Sequence, residues 1–138
     1  MSESPAFRND IPFIADLGIE FVSAGSGRAV VALDLAPRHL NGWAVAHGGV
    51  IMTLLDVAMA VAGRSLDPAA GAGVTVEMKT SFIQPGHAGT RLLASAHAFH
   101  RSSTMSFCEA EVRDTAGRLV AKAMGTFKYL RDRSKGDA

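Results

Sequence analysis

The stretch VIMTLLDVAMAVA, residues 50–62, decides the fold of this chain. Its apolar residues recur at helical spacing, for example at Ile51, Leu54 and Ala58. Most of the positions between them are apolar as well, and a helix that is apolar nearly all round is a buried helix. We therefore expect a long central helix that ends at Gly63, a natural stop.

The segments on either side of this helix predict strands. From Val74 to Phe82 apolar and polar residues alternate with a period of two, which is typical of a strand. Strands joined by short turns form an antiparallel sheet, and a sheet with one apolar helix to cover can wrap round it, so the predicted class is α+β. Further elements are predicted as a helix at 9–17, strands at 19–23, 28–35, 91–100, 105–113 and 119–130, and a loop at 37–47.

Length and composition indicate one domain spanning residues 1–138, with loose termini at 1–8 and 131–138. Hydrophobic residues make up 48% of the chain and charged residues 20%, which argues against global disorder. The formal net charge of +1 and the lack of a basic stripe argue against a nucleic-acid partner. We find no signal peptide and no apolar run long enough to cross a bilayer, so we expect a cytoplasmic protein without a membrane partner.

Metal sites and disulfides are not expected. Cys108 is the only cysteine, which excludes a disulfide within the chain and a zinc site built on cysteine pairs. Its place in an alternating stretch suggests a buried structural thiol. The five histidines lack the spacing of a metal pair on a helix, so no metal is predicted.

Asp56 is the most informative residue, because it is the only charged side chain between Val50 and Gly63. Burying a lone carboxylate costs several kcal/mol unless it is paired or hydrogen-bonded. One reading is that Asp56 faces solvent or a subunit boundary, or pairs with Arg64. The other is that it carries the chemistry of the protein.

Gly48 and Gly49 lie at the predicted start of the helix. Helix N-termini offer free backbone N–H groups and a partial positive charge. Glycine there lets a ligand approach the backbone closely, and such a site can bind the oxygen of a carbonyl under attack. A plain tight turn into the helix is the alternative.

Three stretches together resemble a known family. They are NGWAVAHGG at 41–49 followed by Asp56, GVTVEMKTSFIQP at 73–85, and GRLVAKAMGTF at 117–127. They are similar, over roughly residues 10–130, to the hot-dog thioesterases of the phenylacetate-pathway and 4-hydroxybenzoyl-CoA type. The resemblance implies a hot-dog fold, in which an antiparallel sheet wraps round one long central helix.

The resemblance also implies roles for individual residues. Asp56 matches the catalytic carboxylate, as base or nucleophile, and Gly48 matches the glycine whose N–H polarises the thioester carbonyl. Asn41 matches a side chain that orients water or the carbonyl. Thr75 stands where relatives place a serine that holds the attacking water. His47 either bonds the loop or touches the substrate.

The implied activity is hydrolysis of an aryl- or medium-chain acyl-CoA, with CoA as part of the substrate and no cofactor. Thioester chemistry fits these residues, since a thiolate leaving group has a pKa of about 8.5 in a cysteine analogue and needs no strong acid. A non-catalytic acyl-CoA-binding hot-dog module is the alternative, and a hot-dog hydratase or dehydratase is a third option. Such a binding module usually accompanies a DNA-binding segment, for which this chain has no room.

The phosphates of CoA need cationic partners. The stretch His100, Arg101, Ser102, Ser103 resembles the loop that family members use against the CoA tail, with a solvated turn as the alternative. Lys128 and Arg91 are further candidates.

Assembly is expected as well. A sheet round one helix leaves strand edges that are normally paired or covered. We expect a homodimer with sheets joined edge to edge, or a homotetramer made of two such dimers. The resemblance places Thr75 across the dimer interface from Asp56.

Overall fold

A computed structural model describes residues 11–67 and 69–130 of the chain. One antiparallel sheet of six strands, in the order β1-β2-β4-β5-β6-β3, curves round one long helix, α2. The predicted α+β class is confirmed. The loose termini predicted at 1–8 and 131–138 lie outside the described residues. The elements are α1 (Pro12–Leu17), β1 (Glu20–Gly25), β2 (Arg28–Asp34), a 3-10 turn (Pro37–His39), α2 (Gly48–Arg64), β3 (Gly73–Phe82), β4 (Arg91–Arg101), β5 (Met105–Asp114) and β6 (Leu119–Tyr129).

The short helix α1 begins and ends as its sequence predicts. Pro12 occupies the first turn, where its missing N–H costs nothing. Gly18 ends the helix with a φ of 80°, a left-handed conformation that glycine adopts without strain. The predicted start at Asn9 lies outside the described residues.

The α2 helix fills the concave side of the sheet. Its 17 residues include nine that are buried, among them Leu54, Ala58 and Met59 at 0% exposure. Each fully buried leucine of this kind contributes about 1.5–3 kcal/mol of hydrophobic free energy. None of the helices in the described part of the chain is long and apolar enough to cross a membrane.

The predicted stop at Gly63 is wrong, since α2 continues to Arg64. Gly63 serves packing instead, because its missing side chain makes room for two hydroxyls. The Tyr129 hydroxyl donates to Ala60 O at 2.8 Å and lies 3.0 Å from Ser106 Oγ. Cys108 is buried beside them, and its Sγ donates to Met59 O at 3.4 Å, which confirms a structural thiol.

Among the described strands, β3 lies at one edge of the sheet and pairs with β6 alone. A bulge shifts its pairing between Thr75 and Glu77. Thr75 pairs with the inward-facing Phe127 before the bulge, and Met78 pairs with Gly125 after it. The extra residue, Val76, therefore lets Thr75 and Met78 face the helix from the same strand.

The Gly63 contact gives a stability prediction. In Gly63→Ala the new methyl group would overlap the Tyr129 hydroxyl and the Ser106 side chain. We expect a loss of about 1–3 kcal/mol of unfolding free energy, the scale of overpacking in a core. Urea unfolding monitored by circular dichroism measures it.

The matched control is Gly42→Ala. Gly42 has open space at its Cβ position and no left-handed φ, so its replacement should change stability by less than about 0.5 kcal/mol. Equal stability of the two variants would contradict the packing role of Gly63.

Candidate active site

Asp56 lies on the one stripe of α2 that the sheet leaves uncovered. Gly49, Met52, Asp56 and Ala60 recur along this stripe at helical spacing, and none of the four is buried. Asp56 itself is half-buried. It therefore avoids the full cost of a buried lone charge while facing an environment less polar than water.

The Asp56 carboxylate has one partner within the described residues. Thr75 Oγ1 donates to Asp56 Oδ1 at 2.5 Å, from β3 to α2 of the same chain. The expectation that these residues face each other across a dimer interface is therefore wrong. The bulge in β3 turns Thr75 toward the helix, which straight alternation along the strand would not have done.

The pKa of Asp56 is raised above its usual value of 3.8, chiefly because partial burial disfavours the ionised form. The hydrogen bond from Thr75 works in the opposite direction and lowers it. The carboxylate is thus a stronger base than an exposed aspartate. Its other oxygen, Oδ2, accepts no hydrogen bond from the described part of the chain and is available to a water molecule.

At the start of α2, one backbone donor is left free. His47 caps the helix, since its Nδ1 accepts from Gly49 N at 2.9 Å. Its carbonyl oxygen accepts from the N–H groups of Val50 and Ile51. Gly48 N–H has no acceptor among residues 11–67 and 69–130, so the free donor is the one predicted from the sequence. His47 thus bonds the loop, and its contact with the substrate stays a prediction.

Asn41 shapes the loop that leads to this donor. Its Oδ1 accepts from the N–H groups of Trp43 at 2.9 Å and Val45 at 3.3 Å. Its side-chain NH₂ donates to nothing within the described residues. Asn41 and Gly48 line the same pocket, of about 410 Å³, together with Phe82. The amide and the helix N-terminus thus present donors to one space.

Asp56 and Gly48 belong to different pockets of the chain. Asp56 lines a second, mainly apolar cavity of about 310 Å³. Eight residues of α2 separate it from Gly48, and a rise of 1.5 Å per residue places their backbones about 12 Å apart along the axis. One carbonyl group cannot lie within 3 Å of both in a single chain. The structure brings Asp56 together with Thr75, and Gly48 together with Asn41 and His47.

Both arginines predicted to hold CoA are engaged within the fold. Arg101 Nε donates to Gly63 O at 3.2 Å, and its guanidinium lies 4.5 Å from the centre of the Tyr129 ring. Arg91 forms ion pairs with Glu20 at 2.8 Å and Asp34 at 3.1 Å. These pairs are surface contacts, which water and salt weaken and with which a ligand phosphate can compete. CoA binding by either arginine stays a prediction.

The other predicted CoA contacts lie on the surface. Ser102 closes the turn between β4 and β5, where its Oγ accepts from Met105 N at 3.0 Å. Ser103, His100 and Lys128 are exposed. The solvated-turn alternative therefore describes this loop in the unliganded chain, and its role toward CoA stays a prediction.

From the sequence, the one role suggested for Arg64 is an ion pair with Asp56. In the structure no ion pair joins them, and both side chains line the 310 Å³ cavity. Tyr129, whose place in the final strand gave no functional signal, lines it as well.

The raised pKa of Asp56 predicts how its replacement changes stability. Because the folded state binds this proton more tightly than the unfolded chain, ionised Asp56 weakens the fold at neutral pH, and stability is recovered as pH falls through the raised pKa toward 3.8. Asp56→Asn should therefore unfold with equal or higher free energy than wild type at pH 7. The difference should shrink at about pH 4. Urea denaturation at both pH values measures it, and a variant clearly less stable at pH 7 would contradict the burial argument.

Solved structures share the fold of this chain. Conserved protein PA5202 of Pseudomonas aeruginosa superposes with a TM-score of 0.81 at 32% identity, covering 91% of this chain and 97% of that one. A Streptococcus mutans UA159 protein, smu.793, solved bound to acetyl CoA, gives a TM-score of 0.75 at 26% identity, covering 83% and 91%. The predicted hot-dog fold is confirmed.

Sequence comparison identifies the family. The acyl-coenzyme A thioesterase PaaI of Escherichia coli K12 is 31% identical over 122 residues, which is 88% of this chain and 85% of that protein. A sequence profile of the thioesterase superfamily matches residues 44–121, more than half of the chain. The chain therefore belongs to the thioesterase superfamily and is a thioester hydrolase.

Proposed function

We propose that this protein hydrolyses acyl-CoA thioesters, with Asp56 as the catalytic carboxylate and Gly48 N–H as the oxyanion donor. The observation that carries this proposal is the Asp56 carboxylate itself, half-buried, held by Thr75, and open to an apolar cavity. The relative PaaI is named an acyl-CoA thioesterase, and smu.793 was solved with acetyl CoA. An aryl- or medium-chain acyl group suits a cavity of about 310 Å³.

The reaction needs only a few groups. As general base, Asp56 takes a proton from a water molecule whose oxygen attacks the thioester carbon. As nucleophile, it attacks that carbon directly, and water then hydrolyses the mixed anhydride. In both routes negative charge develops on the carbonyl oxygen, where Gly48 N–H and the positive end of α2 stabilise it. The CoA thiolate then leaves without a strong acid.

The 12 Å separation supports a site built from two chains. A twofold axis midway between Gly48 and Asp56 would pass near Met52 and set the two α2 helices antiparallel. Gly48 of each chain would then lie near Asp56 of the other. Met52, which is 37% exposed, lies on the uncovered stripe where such an axis would pass.

The free edge of β3 supports the same assembly. The strand is ten residues long, and Val74, Val76 and Phe82 remain 44–55% exposed in the single chain. A long, apolar, unpaired edge is an aggregation site unless another strand pairs with it. Pairing of β3 with its copy would bury this edge and bring the two helices alongside each other. A further doubling to a tetramer and a cytoplasmic location stay predictions from the sequence.

Removing either chemical group should slow turnover strongly. Asp56→Asn keeps the side-chain shape but loses the base, and we expect turnover to fall about a hundredfold or more. Gly48→Pro removes only the N–H, since proline suits the first position of a helix and His47 already has the extended conformation, with ψ of 137°, that precedes proline. We expect a loss of about 10²–10³ in turnover. Release of free CoA measured with a thiol reagent gives both rates.

The control for the donor is Gly48→Ala. It keeps the N–H, and its methyl group would meet the Phe82 ring at 3.5 Å, an ordinary contact. Near-normal turnover in Asp56→Asn would refute its assignment. Equal losses in the alanine and proline variants would mean that the glycine matters for shape and not for its N–H.

A mixing experiment tests the shared site. Asp56→Asn and Gly48→Pro are refolded together in equal amounts, so that about half of the dimers are hybrids. Each hybrid has one site with both wild-type groups and one with neither. We expect about a quarter of the wild-type activity, measured as CoA release, whereas each variant refolded alone stays inactive. A mixture no more active than its parents would place the two groups in one chain.

A further inference from the structure

The cavity beside Asp56 extends along α2 toward the end of the helix. Asp56, Val57, Ala60, Val61 and Arg64 form its helical wall, and its surface is mainly apolar. Eight residues separate Asp56 from Arg64, so their backbones lie about 12 Å apart along the axis. A long helical side chain leans toward the N-terminus, which brings the guanidinium nearer to Asp56. The cavity therefore has a carboxylate at one end and a cation at the other.

The Arg64 guanidinium has no partner in the described part of the chain. No hydrogen bond or ion pair reaches it from residues 11–67 and 69–130, and its buried Nε is left without an acceptor. Arg64 as a whole is half-buried. A cation held against apolar surface without an anion costs free energy. The cost is removed when a ligand supplies the anion.

The polar groups near Arg64 form hydrogen bonds with other residues. Tyr129 donates its hydroxyl proton to Ala60 O, and Ser106 Oγ lies within hydrogen-bond distance of the same hydroxyl. The carbonyl oxygens at the end of α2 have their own donors, since Arg101 donates to Gly63 O and Ser65 donates to Ala62 O. Arg64 is therefore not needed to cap the helix.

We propose that Arg64 binds a carboxylate at the far end of the acyl group, so that the protein prefers thioesters whose acyl part carries a terminal carboxylate. The proposal rests on the proposed function, since it takes Asp56 as the place of the thioester carbonyl. A planar guanidinium matches a carboxylate with two parallel hydrogen bonds, and the ligand supplies the anion that Arg64 lacks among residues 11–67 and 69–130. A neutral acyl end supplies no such anion.

The dimensions suit an acyl group of moderate length. Three consecutive bonds of an extended chain span about 3.3–3.6 Å. An acyl chain of six to eight carbons, with a carbonyl carbon at each end, is therefore about 6–8 Å long between those two carbons. That length fits within the 12 Å helical wall once both side chains have extended into the cavity. A benzene ring with a carboxylate opposite the thioester has a similar reach.

The phosphates of CoA are the other anions that Arg64 could meet. The cavity offers them one cation and the Asp56 carboxylate, which repels them. A phosphate contact would also change the affinity for every CoA ester to the same degree, whereas a contact to the acyl end changes only those esters that carry the carboxylate. The experiment therefore compares esters with and without the carboxylate.

The test compares matched substrates in Arg64→Met, which keeps the length of the side chain and removes its charge. The pairs are octanoyl-CoA with suberoyl-CoA, and 4-methylbenzoyl-CoA with 4-carboxybenzoyl-CoA. We expect the ratio of kcat/KM for the carboxylated member to the neutral member to fall at least tenfold in the variant, with Arg64→Lys intermediate. Arg113→Met is the matched control, because Arg113 pairs with Glu111 on the outer face and should leave the ratio unchanged.

A binding measurement separates this proposal from the proposed function. Titration of the same esters into Asp56→Asn, with and without Arg64→Met, reports the preference without turnover, and we expect the same tenfold change. An unchanged ratio in Arg64→Met, or an equal loss for all four esters, overturns the proposal and leaves the thioesterase assignment intact. If wild type cleaves none of the esters, the proposed function fails, and the titration alone decides whether Arg64 selects the carboxylate.

Discussion

The packing of α2 into the curve of the sheet is the constraint from which the site follows. The helix buries nine of its residues, and only one stripe escapes the strands. Everything polar that α2 carries must lie on that stripe, at the N-terminus, or in the last turn. Asp56, the free Gly48 donor and Arg64 occupy those three places, so the positions of the chemical groups are fixed by where the sheet cannot reach.

Two opposing effects determine the pKa of Asp56. Partial burial raises its pKa, and the hydrogen bond from Thr75 lowers it. Without Thr75, burial would raise the pKa of Asp56 further, and full exposure to water would leave a weaker base. The balance requires β3 to come close to α2 at one residue, and the bulge between Thr75 and Glu77 provides this approach.

Much of this arrangement could be predicted from the sequence. The apolar run at 50–62 predicted the central helix, and the single charge within it identified Asp56, because burial of a lone carboxylate is costly. Local rules predict free N–H groups at Gly48 and Gly49, because the first N–H groups of a helix have no internal acceptor. The resemblance to the thioesterase family then singled out Gly48.

The errors came from contacts between distant elements. Local sequence suggests that Gly63 ends the helix. Its role in packing cannot be seen there, because the two hydroxyls that need its missing side chain come from β5 and β6. The family resemblance implied that Thr75 faces Asp56 across a dimer interface, whereas the bulge, which no periodicity reveals, turns Thr75 toward Asp56 of its own chain. The role of Arg101 and Arg91 toward CoA stays a prediction, and their partners at 38 and at 57 and 71 residues along the chain cannot be found from local spacing.

The bulge in β3 divides the strand into two parts. Residues 73–75 carry the Thr75 hydroxyl to Asp56, whereas 77–82 form most of the strand edge that no other described strand covers. Val76 is the extra residue at which the alternation of inward and outward side chains shifts by one position. A substitution of an outward side chain in the longer part, such as Lys79 or Ser81, can therefore change the exposed edge without disturbing the hydroxyl that Thr75 presents to Asp56.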